Sequence, residues 1–154
     1  MTDIAAAYTP FADALRAGGF GIPADPDEWP AELVAAHVIL NNDFFTACAQ
    51  TARDGGQPVY DNEPAVDAKE LREFLTRTGS LPELAKEIER SAADLEAAYL
   101  ALSDAQRAQR IPVRIRHDDE LIVDEPRPLG AMIEDNATDH LSMHLEQLLD
   151  LRDD

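Results

Sequence analysis

The chain has 154 residues, of which 45% are hydrophobic and 29% charged, a composition typical of a globular protein with one domain, here residues 1–154. Its 31 acidic and 13 basic residues give a formal net charge of −18, which repels nucleic-acid phosphates and anionic membrane surfaces. Neither nucleic acid nor a membrane is therefore an expected partner, and solubility is a sufficient reason for the acidity.

The first segment, Thr2–Arg16, has apolar residues at helical intervals, namely Ile4, Tyr8, Phe11 and Leu15. Pro10 interrupts this pattern. Either the helix kinks there, or it begins with Thr9 as its cap and Pro10 in its first turn. Two glycines at 18–19 end the helix, and a proline-rich loop follows to Trp29.

The second predicted helix begins near Pro30 and is stopped by the glycines at 55–56. One face carries residues at spacings of three and four, namely Leu33, Val34, His37, Val38, Asn41, Phe44, Phe45 and Cys48. A loop through Pro64 then leads to a short helix over Asp67–Thr78.

A third long helix is predicted to begin at Ser80–Glu83, which has the pattern of a capping box. Its apolar stripe runs for about five turns and consists of Leu84, Ile88, Ala92, Leu95, Ala98, Tyr99 and Leu102. Ser103–Gln106 offers a second, weaker cap and one more helical turn.

The periodicity then changes, because apolar residues alternate with charged ones around His117–Glu120. This alternation predicts a hairpin or extended segment, closed by Pro126 and Pro128. The last helix spans Leu129–Leu151. Four long helices without a central sheet predict an all-α fold, an antiparallel four-helix bundle with one long connection and a short extended or hairpin segment before the last helix.

The single cysteine, Cys48, cannot form an internal disulfide, and its apolar neighbours indicate a small buried side chain rather than a nucleophile. Residues 1–3 lack a basic region followed by an apolar run, and no segment approaches the roughly 20 apolar residues that cross a bilayer. We therefore expect a cytoplasmic protein.

Three of the four histidines lie on inward helix faces. His140 and His144 are four residues apart, so both can hold one ion from the same side of a helix. His37 lies on the apolar face of the second helix. Each could instead be a hydrogen-bonded core histidine, but three in one core indicate a metal site. His117, at an acidic turn, is expected to be solvated.

Two segments resemble the DinB-like superfamily, which includes YfiT-like proteins and the N-terminal domain of mycothiol-dependent maleylpyruvate isomerase. Residues 33–45, LVAAHVILNNDFF, are similar to its histidine-bearing second helix, and residues 139–148, DHLSMHLEQL, to its C-terminal motif. The resemblance implies a four-helix bundle that binds a divalent metal ion, zinc or nickel, through His37, His140 and His144. Many members have arginine directly after the last histidine, where this chain has Leu145.

Three neutral imidazoles leave a metal ion its full charge and an open position, as at catalytic zinc sites. The resemblance implies a thiol S-transferase that joins a thiol of the mycothiol or bacillithiol type to a small electrophile, and it favours a homodimer. Asn41 and Gln147 are candidates for orienting the ligands or the substrate, or are ordinary polar residues of a bundle.

Two other functions stay open at this point. One is a metal-dependent hydrolase, which would need a carboxylate base such as Asp43, Glu134 or Asp139. The other is a bundle that binds metal without catalysis. The sequence assigns a catalytic role to no residue, and the three histidines are predicted only as metal ligands.

Overall fold

The computed structural model describes residues 3–152, and most of these residues are helical. The helices in the first two-thirds of the chain are α1 Ile4–Ala7, α2 Thr9–Ala17, α3 Ala31–Arg53, α4 Glu63–Val66, α5 Ala68–Thr78, α6 Leu81–Leu100 and α7 Asp104–Ala108. The last third contains α8 Leu129–Asp135, a π-helix at Asn136–His140, and α9 Leu141–Asp150. Within residues 3–152, no helix is long and apolar enough to span a bilayer.

The first predicted helix is divided at Tyr8 into α1 and α2. Pro10 lies in the first turn of α2, where a missing backbone N–H leaves no hydrogen bond unmade. The chain combines the two alternatives, because helical residues lie on both sides of the break at Tyr8 while Pro10 lies in the first turn of α2, with Thr9 as the first helical residue rather than the cap. Thr2, where the prediction begins the helix, lies outside the described residues.

A small sheet accompanies the helices, so the all-α expectation is wrong in this respect. Its strands are β1 Tyr60–Asp61, β2 Arg110–His117 and β3 Glu120–Pro128, in the order β1-β2-β3. The hairpin of β2 and β3 was predicted and is antiparallel, whereas β1 pairs with β2 in parallel. His117, near the hairpin turn, is exposed, as predicted.

Two details of the predicted connections are wrong. The segment read as a loop through Pro64 contains both β1 and α4, two elements too short to show a periodic pattern. Pro126 and Pro128 do not close the hairpin but belong to β3. This strand lies at the edge of the sheet, where proline is tolerated because one side of the strand has no neighbouring strand to hydrogen-bond with.

The helix starts were predicted more accurately. Ser80 caps α6 by accepting a hydrogen bond from the backbone N–H of Glu83. The reciprocal bonds of a capping box are formed by Ser103 and Gln106, at the start that was expected to be weaker.

The hydrophobic core is built around α3 and α6, which pack against each other. Helix α2 packs on α6, and α9 contacts both α2 and α3. Large side chains that are completely buried come from all of these helices and include Phe11, Leu15, Ile39, Ile88, Leu95 and Leu148. This packing places the first half of α3, which carries His37, beside the last helical segment, which carries His140 and His144.

Candidate metal centre

The three histidines come from two parts of the chain that are about 100 residues apart in sequence. His37 lies in α3, His140 ends the π-helix, and His144 follows one turn later in α9. His37 and His144 are buried, whereas His140 is half-buried. One ligand atom from each ring can be chosen so that all three lie within 4.8 Å of one another. The structure therefore brings together the three histidines that the sequence singled out.

The Nε2 atoms of the three rings face each other. Nε2 of His140 lies 3.4 Å from Nε2 of His37 and 3.0 Å from Nε2 of His144. The ring centroids are 4.4 to 5.4 Å apart. Such convergence of one nitrogen per ring is the arrangement that three histidine ligands of one ion would have.

The other ring nitrogens of His37 and His144 have hydrogen-bond acceptors. Nδ1 of His37 lies 2.6 Å from the carbonyl oxygen of Ala65, and a carbonyl can only accept. Nδ1 of His144 lies 2.8 Å from Oε1 of Gln147. In the neutral rings both Nδ1 atoms thus carry the proton, which leaves a lone pair on each Nε2.

These distances fit a metal ion. Two nitrogen ligands at about 2.0–2.1 Å from zinc, separated by a tetrahedral angle, lie about 3.3–3.4 Å apart. The measured separations of 3.4 and 3.0 Å differ from this by a few tenths of an ångström at most. A proton on His140 could bridge to only one of its two neighbours, whereas a cation attracts all three lone pairs. The cluster could therefore hold a metal ion.

Burial keeps the imidazoles neutral. Desolvation and the proximity of His144 lower the pKa of His37 to about 4, despite the opposing effect of the Ala65 carbonyl. Desolvation and the two neighbouring rings lower the pKa of His140 to about 3. The pKa of His144 is also lowered by burial, and the hydrogen bond to Gln147 opposes that shift. Metal ligands must be unprotonated, so this environment prepares all three at neutral pH.

The sheet positions the carbonyl group that orients His37. Asn62, which follows β1, accepts a hydrogen bond from the backbone N–H of Arg116 at 2.7 Å and donates to its carbonyl at 3.1 Å. Helix α4 begins directly after Asn62 and has only four residues, so the Ala65 carbonyl is among those without a partner inside the helix. Strand β2 thereby supports the hydrogen bond to His37.

The sequence analysis missed this support and the single tryptophan beside it. The Trp29 ring is half-buried, with its centroid 5.3 Å from that of His37. Asn62 followed by Pro64 was a signal for a helix start, because proline favours the first turn and asparagine the cap. Nothing in the sequence indicated which carbonyl would meet His37.

The two candidate orienting residues differ in where they lie. Gln147 contacts His144 directly. Asn41 instead donates to Oδ1 of Asn136 at 2.6 Å and accepts from the Tyr60 hydroxyl, so its hydrogen bonds do not involve the histidines. Leu145, where many DinB-like proteins have arginine, is half-buried against the hydrophobic core.

The carboxylates considered as bases have other contacts or are exposed. Asp43 pairs with Arg90 at 3.1 Å, and Glu134 accepts a hydrogen bond from the Tyr99 hydroxyl. Asp139 is exposed next to His140 in the chain. Cys48 is buried, and burial raises the pKa of its thiol to about 11, which agrees with a structural rather than a nucleophilic role.

Comparison with known proteins adds no further information on this centre. No protein-family model matches the chain, and neither does a curated protein or a solved structure.

Proposed function

We propose that the protein is a metal-dependent enzyme of the DinB-like superfamily that transfers a low-molecular-weight thiol, of the mycothiol or bacillithiol type, to an electrophile. The observation that carries the proposal is the convergence of the Nε2 atoms of His37, His140 and His144. This is the ligand set that the resemblance implies. Zinc or nickel is the ion that we expect, since imidazole suits both.

The contacts among helices α2, α3, α6 and α9 support the proposed bundle. Helix α2 contacts α6, α6 contacts α3, α3 contacts α9, and α9 contacts α2. A closed ring of four helix contacts is what an antiparallel four-helix bundle would have. The sheet would then be an addition to the bundle, and its β2 strand supports His37 through Asn62.

A divalent ion held by His37, His140 and His144 would keep its full charge and an open position, where it would lower the pKa of a thiol. In the proposed transfer, the thiol loses its proton to solvent and its sulfur bonds to the electrophilic carbon, while the leaving group departs with the electron pair of the broken bond. His140 is the least buried ligand, so we expect both substrates to approach on its side.

Thiol transfer is favoured over hydrolysis by the positions of the carboxylates. A hydrolase would need a carboxylate base at the site. Asp43 and Glu134 hydrogen-bond to Arg90 and Tyr99, and among residues 3–152 no hydrogen bond joins Asp139 to a site histidine. A thiol can lose its proton to solvent without a dedicated base, because thiols are much more acidic than water.

The proposal is tested by following the consumption of a cellular thiol by monochlorobimane, with metal-free protein and after addition of Zn²⁺ or Ni²⁺. We expect turnover only with metal, its loss in His144→Ala, and its retention in His117→Ala, which removes the exposed fourth histidine. If the loaded protein turns over no cellular thiol, the transferase function is wrong and a metal-binding bundle without catalysis takes its place.

The metal centre itself needs a separate measurement. Elemental analysis of purified protein should find a stoichiometric ion in the wild type and in His117→Ala, and almost none in His37→Ala. Equal metal content in His37→Ala would remove His37 from the ligand set, whatever the outcome of the activity assay.

A further inference from the structure

A continuous chain of buried hydrogen bonds crosses the core one helical turn away from the histidines. The Tyr60 hydroxyl donates to Asn41, and Asn41 donates to Oδ1 of Asn136 at 2.6 Å. Asn136 donates to Oδ1 of Asn42 at 2.9 Å, and Asn42 donates to Oγ of Ser91 at 3.1 Å. All five side chains are buried.

The direction of this chain is set at its end. The Ser91 hydroxyl donates to the backbone carbonyl of Ile88 at 3.0 Å, and a carbonyl can only accept. The Ser91 oxygen therefore accepts from Asn42, and the same order of donors and acceptors continues through Asn136 to Asn41. Since each amide uses its oxygen as acceptor and its nitrogen as donor, the order of the chain leaves a single consistent set of orientations.

The bond between Asn41 and Asn136 joins the two elements that carry the ligands. Asn41 follows His37 by four residues in α3, and Asn136 precedes His140 by four residues in the π-helix. Residues four apart lie on the same side of a helix, so the amide pair and the pair of histidines are successive contacts along one helix interface.

The π-helix makes the position of Asn136 important for His140. Its turn contains one residue more than an α-turn. If Asn136 lost its partners and the turn relaxed to α-helix, one residue would leave the turn, which is equivalent to a rotation of about 100° between the parts of the helix on either side. His140 would then turn relative to Asn136 and away from His37.

We propose that Asn136, held by Asn41, is a positioning residue for the metal centre, which fixes His140 opposite His37. The inference rests on the proposed metal site and adds to it the residues that set the distance between its two halves. Neither asparagine side chain has a hydrogen bond to a site histidine among residues 3–152, so both would act through the backbone of the segments that carry the ligands.

The test compares three variants that each remove hydrogen bonds from the chain. Asn136→Ala breaks the link between the ligand-bearing elements, and Tyr60→Phe removes the donor that orients Asn41. The matched control, Ser91→Ala, breaks the same chain at its far end in α6, which carries no ligand. Cobalt(II) binding and its visible absorption spectrum are measured where circular dichroism shows each variant folded, and unfolding in urea is measured alongside.

We expect Asn136→Ala to bind cobalt at least about tenfold more weakly, with an altered spectrum, as when partners of metal ligands are removed. Tyr60→Phe should weaken binding about fivefold, which corresponds to one hydrogen bond, and this variant still decides the question if Asn136→Ala does not fold. Ser91→Ala should lose stability but keep the affinity and spectrum of the wild type, because the Tyr8 hydroxyl still orients the amides of Asn42 and Asn136. It donates to Oδ1 of Asn42 at 2.8 Å and accepts from Asn136 at 3.1 Å.

The inference is overturned if the variants of Asn136 and Tyr60 lose stability yet bind cobalt as the wild type does, or if Ser91→Ala weakens binding equally. A wild-type protein that binds no metal would instead overturn the proposed function. The two failures are therefore distinguishable.

Discussion

Oε1 of Gln147 lies 2.8 Å from Nδ1 of His144, three residues earlier in the same helix. The amide oxygen accepts the Nδ1 proton, which places the lone pair of the imidazole on Nε2, toward His140. Gln147 thus fixes both the tautomer and the rotation of this ring, and it does so from a half-buried position at the edge of the site.

Replacement of Gln147 should therefore weaken metal binding. We expect Gln147→Leu to lower the affinity for Zn²⁺ by about ten- to a hundredfold, because the ring loses its acceptor. Gln147→Glu should retain or raise the affinity, since a carboxylate accepts from Nδ1 more strongly. Competition with a chromophoric chelator measures both, with Gln50→Leu on the exposed face of α3 as the control. Wild-type affinity in Gln147→Leu would contradict the assigned role.

The stability of the metal-free protein should depend on pH through the histidines. The pKa of His37 is about 4 and that of His140 about 3 in the folded protein, against about 6.5 in the unfolded chain. Between these pH values the unfolded chain binds more protons than the folded protein does. The free energy of unfolding therefore falls as the pH decreases from about 6.5 to about 4. Each histidine contributes a slope of at most about 1.4 kcal/mol per pH unit, and none above about pH 7.5.

Urea denaturation in EDTA between pH 4.5 and 7.5 measures this slope. His140→Gln should make it shallower than in the wild type, because one of the three histidines with a lowered pKa is gone. Gln50→Leu, on the exposed face of α3, changes no titratable group and should leave the slope unchanged. An identical slope in wild type and His140→Gln would show that the buried cluster does not control the pH dependence.

The fluorescence of the single tryptophan should report metal binding at the three histidines. The Trp29 ring centroid lies 5.3 Å from that of His37, within the range where a paramagnetic ion at the site quenches indole fluorescence efficiently. We expect Ni²⁺ or Co²⁺ to quench the emission of Trp29 with a stoichiometry of one ion per chain. Zn²⁺, which is not paramagnetic, should bind in competition and restore the emission.

The same titration of His37→Ala serves as the control. Its tryptophan is unchanged, but the ion has lost one ligand, so quenching should require much higher metal concentrations. Quenching at wild-type concentrations in His37→Ala would mean that the ion binds elsewhere near Trp29.

The sequence predicted the histidines because helix periodicity places residues on faces. His37 occupies the apolar stripe of α3, and His140 and His144 lie four apart, so helix periodicity placed all three on inward faces, and the family resemblance joined them in one site. The partner of His37 was not predictable in this way. Ala65 belongs to a four-residue helix held by the bonds of Asn62 to β2, and such elements depend on tertiary contacts rather than on their own periodicity.

The π-helix was also missed, although the sequence contained a signal for it. Asn136, His140 and His144 are spaced four and four. In an α-helix, a side chain four residues further along is rotated about the helix axis by about 40° more than a full turn. Over two such steps the side-chain direction therefore shifts by about 80°. A wider turn between Asn136 and His140 reduces that shift, which allows Asn136 to meet Asn41 while His140 faces His37. The all-α prediction failed for a related reason, since β1 has only two residues and is defined by its pairing with β2.

The turn between β2 and β3 is a place where the chain can be stabilised. Asp118 and Asp119 both have positive φ, 49° and 65°, as a two-residue hairpin turn of type I′ requires. Glycine adopts this conformation without strain, whereas other residues lose about 1 kcal/mol, part of which is recovered through the lower entropy of the unfolded chain. We expect Asp119→Gly to raise the free energy of unfolding by about 0.5 kcal/mol.

The matched control is Asp54→Gly, which makes the same change in charge and side chain at an exposed position with a φ of −81°. There glycine relieves no strain, so the variant should be less stable than the wild type, and urea denaturation of both variants separates strain from charge. Equal gains in the two variants would mean that removal of one negative charge from a chain of net charge −18, rather than the turn, is the cause.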